Sequence, residues 1–165
     1  MLKICFSLLL IIIVGAGCLK EQKCSFSSNN IMAPVSEKDS LQAYITANNI
    51  QATRDTSGLF YSISNPGTGT AKPVLCSQIT INYAGKLTNG TIFDQSSGAV
   101  FQLGTLIEGW KKGIPLLGKG GQIRLYIPPT LGYGSTDVKD RNGVVVIPGK
   151  SILIFDITLI DFTAG

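Results

Sequence analysis

The sequence predicts an α+β fold in which an antiparallel β-sheet curls around one short α-helix, with an extra helix ahead of it. Three observations carry this expectation. From Gly58 onward the apolar residues recur with a period of two, the signature of half-buried strands. One stretch in that region, Leu106-Ile107-Glu108-Gly109-Trp110, departs from the alternation, reads as a short helix and holds the sole tryptophan. The 19 glycines and seven prolines fall mostly between β-branched runs, as short strands joined by tight turns require.

Composition narrows the function classes. With 165 residues, 44% hydrophobic and 15% charged, the chain suits one compact domain plus extensions. The net charge is only +4 and the 14 basic residues are scattered, so a nucleic-acid surface is not expected. The absence of histidine removes His-based triads, most catalytic zinc sites and the usual proton shuttle near neutral pH. Gly67-Thr68-Gly69 and Gly118-Lys119-Gly120-Gly121 lack a following Lys-Ser/Thr at a helix start and read as turns, not phosphate cradles. No metal or cofactor is expected.

Taken in order, residues 1–17 have the layout of an export signal. Lys3 supplies a positive start, Leu8 to Val14 is an unbroken apolar run, and Gly15-Ala16-Gly17 places small residues before Cys18. The run is too short for an ordinary membrane span. Small residues ending in cysteine resemble the lipobox of bacterial lipoproteins, with Gly15 standing where that pattern usually has Leu. The resemblance implies acylation of Cys18 and anchoring to a membrane; the plainer alternative is a secretory signal with an incidental cysteine.

Residues 18–35 are polar, rich in Ser and Asn, and form a tether. Residues 36–56 hold an amphipathic helix and a linker: Ser36 with Asp39 resembles an N-cap, and Leu41, Tyr44, Ile45 and Asn48 fall on one side before the Asn48-Asn49 stop. A helix of about three turns is marginal alone, so it is expected to dock on the domain. With Cys5 removed in the signal and Cys18 acylated, Cys24 and Cys76 remain as an even pair in an oxidising compartment. They form either a bridge pinning tether to domain or two unpaired thiols.

Residues 57–165 make up the domain. Leu59 to Ile63 is a first strand. In Gln78 to Lys86, Ile79, Ile81 and Tyr83 share a face, and Thr88-Asn89-Gly90-Thr91 carries the Asn-Gly signal of a tight hairpin. Ile92-Phe93-Asp94 follows, then a small flexible stretch, Gln95 to Ala99, then a short strand around Phe101 and Leu103. The Trp110 helix ends near Pro115, Ile123 to Ile127 alternates again, and Pro128-Pro129 stops it. The last strand, Ile152 to Asp161, places Leu153, Phe155, Ile157 and Leu159 on the core side. A sheet gathering these segments leaves an aromatic-lined hollow with Trp110 as its floor and Tyr83, Phe93, Phe101, Tyr133 and Phe155 around it. By base rate such aromatics are core. Tyr133, between Gly132 and Gly134, is harder to assign to a core, because flanking glycines let a loop present a ring to a ligand.

The runs INYAGKLTNGTIFD (Ile81 to Asp94), FQLG (Phe101 to Gly104), LIEGWKKGI (Leu106 to Ile114), YIPPTLGYG (Tyr126 to Gly134) and IPGKSILIFDITL (Ile147 to Leu159) resemble FKBP-type peptidyl-prolyl cis-trans isomerases over residues 57–163. The resemblance implies a strongly curved antiparallel sheet wrapped around a short helix, with the proline of an unfolded or extended polypeptide entering between them. It also implies macrolide inhibitors as ligands. By position, Tyr83, Phe93, Asp94, Leu106, Ile107, Trp110, Tyr133, Ile147 and Phe155 match pocket residues, to which Phe101 is added from the hollow. Trp110 would lie under the pyrrolidine ring, and the Ile107 N–H and Tyr133 hydroxyl would hold carbonyl oxygens of the bound chain. The sequence departs from the family pattern in lacking an arginine after Asp94, which leaves that charge less shielded and less fixed. Ala99 stands where a bulky pocket residue is frequent, and the Gly104 to Leu106 link is short; together they predict a wider mouth and weaker macrolide binding. Ser135 to Val145 reads as a charged flap. The expected function is a prolyl isomerase assisting envelope proteins; the alternative is a non-catalytic proline-binding or chaperone module on the same fold.

Overall fold

The structure is a computed structural model describing residues 24–27 and 29–164; the expected export signal and the expected acylation site Cys18 lie outside the described residues. A six-stranded antiparallel sheet dominates it, with strand order β1-β2-β5-β8-β3-β4. Its strands are β1 (Thr53–Arg54), β2 (Phe60–Asn65), β3 (Gln78–Leu87), β4 (Ile92–Gln102), β5 (Gln122–Ile127) and β8 (Leu153–Phe162). A separate hairpin joins β6 (Val138–Lys139) to β7 (Val145–Ile147). Helix α1 (Val35–Ala47) packs on the outer face and α2 (Glu108–Gly113) crosses the inner one.

Alternation builds the inner face. Leu153, Phe155, Ile157 and Leu159 of β8 are all buried, as the period-two pattern requires, and pack with Ile79, Ile81, Ile123, Leu125, Ile127 and Trp110. The α2 helix approaches β5 closely because its packed positions are glycines. A β-carbon on Gly109 would strike Ile127, and one on Gly113 would strike Leu125. The glycines that shorten this helix therefore also let the Trp110 backbone lie against the sheet. The Asn-Gly hairpin forms as expected: the Leu87 carbonyl accepts the Gly90 N–H at 2.9 Å, and Gly90 has φ +87°.

Three local expectations need correction. The α1 helix starts at Val35 with Pro34 at the N-cap, so Ser36 is already inside the first turn and caps nothing. Pro34 suits the role because its extended backbone precedes the helix and its carbonyl accepts the Glu37 and Lys38 N–H groups at 3.1 Å. Residues Gln95 to Ala99 are not a flexible break, and Phe101 does not begin a new strand: β4 runs unbroken past both. One of its two irregularities is a bulge at Ser97-Gly98, where the Asn82 side chain accepts the Gly98 N–H at 2.7 Å and Gly98 takes φ +68°; the other falls at Phe93. The two-residue strand β1 was too short to show a period; it pairs with β2, and its Arg54 lies over the Phe60 ring.

The α1 helix docks in cis. Leu41 and Ile45 are buried against Phe60 and Tyr126, which point outward from neighbouring strands. Burying each aliphatic side chain contributes roughly 2 kcal/mol. The helix stops where Asn49 adopts φ +53° and the Ile50 N–H reaches back to the Ile45 carbonyl at 3.0 Å. Ahead of α1, Cys24 is joined to Cys76 with 5.6 Å between α-carbons, so the tether is pinned to the domain.

Candidate active site

The inward row of β3 reads Ile79, Ile81, Tyr83, Gly85, Leu87, each opposite an inward residue of β8. Gly85 is the gap in that row. A β-carbon there would lie 2.6 Å from Phe155 and 2.7 Å from Phe93, so the two rings occupy the space a side chain would have taken. Sequence reasoning missed Gly85; a glycine inside an otherwise apolar, alternating strand is the signal that could have found it.

Beside this gap a cavity of about 200 Å³ is lined by Tyr83, Asp94, Phe101, Leu106, Ile107, Trp110, Tyr133 and Phe155. Trp110 is 5% exposed and forms the floor, its ring 5.1 Å from Tyr83 and 5.0 Å from Phe155. Both contacts are edge-to-face, with interplanar angles of 74° and 87°, the arrangement the aromatic quadrupoles favour. Phe101 stands 6.3 Å from the indole. Eight of the expected residues thus converge. Phe93 is not in the cavity's lining but buttresses Phe155 edge-on at 5.5 Å, and Ile147 is buried in the same apolar cluster as Trp110 and Phe155.

The polar groups sit at the rim. The Tyr83 hydroxyl donates to Asp94 Oδ2 at 2.8 Å, so the tyrosine across the hairpin fixes the carboxylate that no arginine fixes. Asp94 has no ion pair among the described residues, in keeping with a less shielded charge, but its position is held. Burial, then the hydrogen bond to Asp94 and its negative charge, push the Tyr83 hydroxyl up to about 12. Burial first, and Asp94 second, also raise Tyr133. Tyr133 is 43% exposed, presented between Gly132 and Gly134 on the loop after the turn Pro129–Leu131. Ile107 precedes α2 with its carbonyl engaged by Trp110 and Lys111, while its own N–H has no partner among the described residues.

This arrangement offers an apolar slot of prolyl-ring size, a carboxylate and hydroxyl at its mouth, and an unengaged backbone donor. It contains no activated nucleophile. A larger hollow of about 540 Å³ on the outer sheet face is lined by polar residues including Asn82, Arg124 and Asp156. There Asp156 is held below the usual carboxylate range: burial opposes ionisation, but hydrogen bonds from Arg124 and Lys86 outweigh it. Those charges are spent on one another. In the flap, Asp140 accepts the Asn142 and Val144 N–H groups at 2.9 Å and Asp137 accepts that of Gly149 at 2.7 Å. Two of its four charges therefore shape turns.

Comparison with known proteins gives the same picture. The family model for FKBP-type peptidyl-prolyl cis-trans isomerases matches residues 69–160. An FKBP-type peptidyl-prolyl cis-trans isomerase named FkpA, from Buchnera aphidicola subsp. Schizaphis graminum, is 42% identical over 112 residues, covering 66% of this chain and 42% of that protein. The chain thus spans about two-fifths of the length of the curated relatives it matches. The crystal structure of FkpA from Escherichia coli superposes with a TM-score of 0.66 at 31% identity, covering 78% of this chain and 60% of that one. That of AtFKBP13 gives 0.62 at 34% identity, covering 68% of this chain and 99% of that one. With five sequence runs, the wrapped sheet and an aromatic cavity all in agreement, the chain belongs to the family of FKBP-type peptidyl-prolyl cis-trans isomerases.

Proposed function

We propose that this chain is an exported, lipid-anchored peptidyl-prolyl cis-trans isomerase that assists the folding of envelope proteins. The cavity floored by Trp110 and walled by Tyr83, Phe101 and Phe155 is the observation that carries the catalytic part. Rotation about an X-Pro bond crosses a barrier of about 20 kcal/mol set by amide resonance, and no bond is broken. The site therefore needs shape more than reactivity. Burying the prolyl ring on the indole strips water from the planar amide, whose carbonyl is its main hydrogen-bond acceptor. The Ile107 N–H and Tyr133 hydroxyl hold the chain on either side, so that the twisted amide fits better than either flat isomer. Asp94, held by Tyr83, adds a fixed negative charge where the carbonyl dipole swings.

A protease-coupled assay on an X-Pro peptide tests this. Catalysis above buffer is expected, and Tyr133→Phe should lower kcat/KM by about tenfold, the worth of one hydrogen bond to the turning chain. A rate equal to buffer would favour a non-catalytic proline-binding module. Activity should stay flat from about pH 6 to 9, because no imidazole titrates there. Both tyrosines are raised above their ordinary value, so the protonated hydroxyls persist across this range, and that of Tyr83 is lost only as pH rises toward about 12. A macrolide would enter the same slot and compete in the same assay.

Export and anchoring rest on Lys3, the apolar run Leu8 to Val14 and Cys18. Two or more acyl chains hold a protein stably at a bilayer, each buried CH₂ contributing about 0.8 kcal/mol. Cells fed an alkyne fatty acid should label the wild-type chain and not Cys18→Ser. Equal labelling, or none in either, would remove the anchor from this reading.

A further inference from the structure

The first turn of α1 is bonded to the loop that presents Tyr133. Glu37 accepts the Thr130 backbone N–H on Oε2 at 2.8 Å and the Thr130 hydroxyl on Oε1 at 2.9 Å, across 93 residues of sequence. Thr130 is the middle residue of the turn Pro129–Leu131. The Pro129 carbonyl then accepts the N–H groups of Gly132 at 2.9 Å and Gly134 at 2.8 Å, closing Tyr133 into the same hydrogen-bonded loop. On the far side the Gly134 carbonyl accepts the Lys150 N–H at 2.9 Å. The loop is thus held from two sides, and Glu37 is the only mount that comes from outside the catalytic sheet and its connections among the described residues.

The mount is stiff because α1 is itself seated by Leu41 and Ile45 on Phe60 and Tyr126. Thr130 is exposed, so both its donors could bond to water if Glu37 were absent. The contact is therefore not needed to satisfy buried groups, and what it supplies is position. Two charge-assisted bonds to one residue fix both distance and direction, which a single bond or a hydrophobic contact does not.

We infer that Glu37 is a positioning residue for Tyr133, making α1 a strut that sets where the hydroxyl meets the bound chain. This rests on the isomerase reading, in which the Tyr133 hydroxyl binds substrate. Glu37→Ala is expected to lower kcat/KM about three- to tenfold, since small misplacements of a binding group are felt strongly. Glu37→Gln should recover most of it, its amide oxygen accepting the Thr130 N–H and its NH₂ donating to the hydroxyl oxygen.

The decisive comparison is the same substitution in a Tyr133→Phe background. A positioning role predicts that Glu37→Ala then costs almost nothing further, because the hydroxyl it places is gone. An equal loss in both backgrounds, or no loss in either, overturns the inference. Amide hydrogen exchange separates this from failure of the isomerase reading itself. Even with a wild-type rate equal to buffer, exchange at Thr130, Gly132 and Gly134 should quicken in Glu37→Ala and not in Glu37→Gln while β8 stays protected. Unchanged exchange there overturns the mount.

Discussion

Replacing Trp110 with alanine is expected to lower stability by about 3–5 kcal/mol and kcat/KM by roughly a hundredfold, read by urea unfolding and the coupled assay. The stability loss follows from position. The indole packs against Tyr83, Phe101 and Phe155 at once, so its removal leaves a void that three rings on three different strands cannot close together. The catalytic loss follows from the same ring, which is the apolar surface a prolyl group would cover. The indole Nε1 is buried without a hydrogen-bond partner among the described residues, a cost of about 1–3 kcal/mol already carried by the fold. Trp110→Phe, which discards that donor and keeps a ring, should therefore cost less than alanine in both measurements. An alanine variant with the stability loss but undiminished kcat/KM would make Trp110 core alone.

Cys76→Ser is expected to lower stability by about 4 kcal/mol in the chain-entropy view, because the bridge to Cys24 closes a loop with a sequence separation of 52 residues. More than loop entropy is at stake. The tether's Phe26 lies so close over Gly104 that a β-carbon there would enter its ring. Gly104 in turn donates its N–H to the Leu75 carbonyl at 2.7 Å, one residue before Cys76. Disulfide, Phe26 and the 103–105 turn form one patch leading into Leu106 and Ile107. The check is a pair of urea transitions. Reductant should move the wild-type midpoint down to that of Cys76→Ser and leave the variant unmoved; a wild-type midpoint indifferent to reductant would mean that the bridge carries no stability.

How far the site was legible depends on how local each signal was. Leu153, Phe155, Ile157 and Leu159 were readable as inward because alternation is written in consecutive residues, and Asn89-Gly90 because turn chemistry is carried by the residues that turn. Gln95 to Ala99 misled for the complementary reason. Small polar residues look like a break, yet a bulge bonded to Asn82 keeps them in the ladder, and that bond spans 16 residues. Ser36 misled because a capping residue is recognised by type, while the helix start was set by Pro34 two residues earlier. The absent arginine after Asp94 was seen, but its replacement by a tyrosine hydroxyl 11 residues away was not.

By itself the sequence determined the long strands β2, β3, β5 and β8, the tight hairpin, the short helix of Trp110 and the set of aromatics that face inward, because hydrophobic period and turn residues act within a few positions of one another. Only the tertiary structure decided that Gly85 makes room for Phe93 and Phe155, that Tyr83 holds Asp94, and that Glu37 reaches Thr130. Those contacts depend on how tightly the sheet curves and where α1 seats on its back. Curvature is a sum of bulges, glycine gaps and packed volumes over the whole sheet, and no local run of residues contains it.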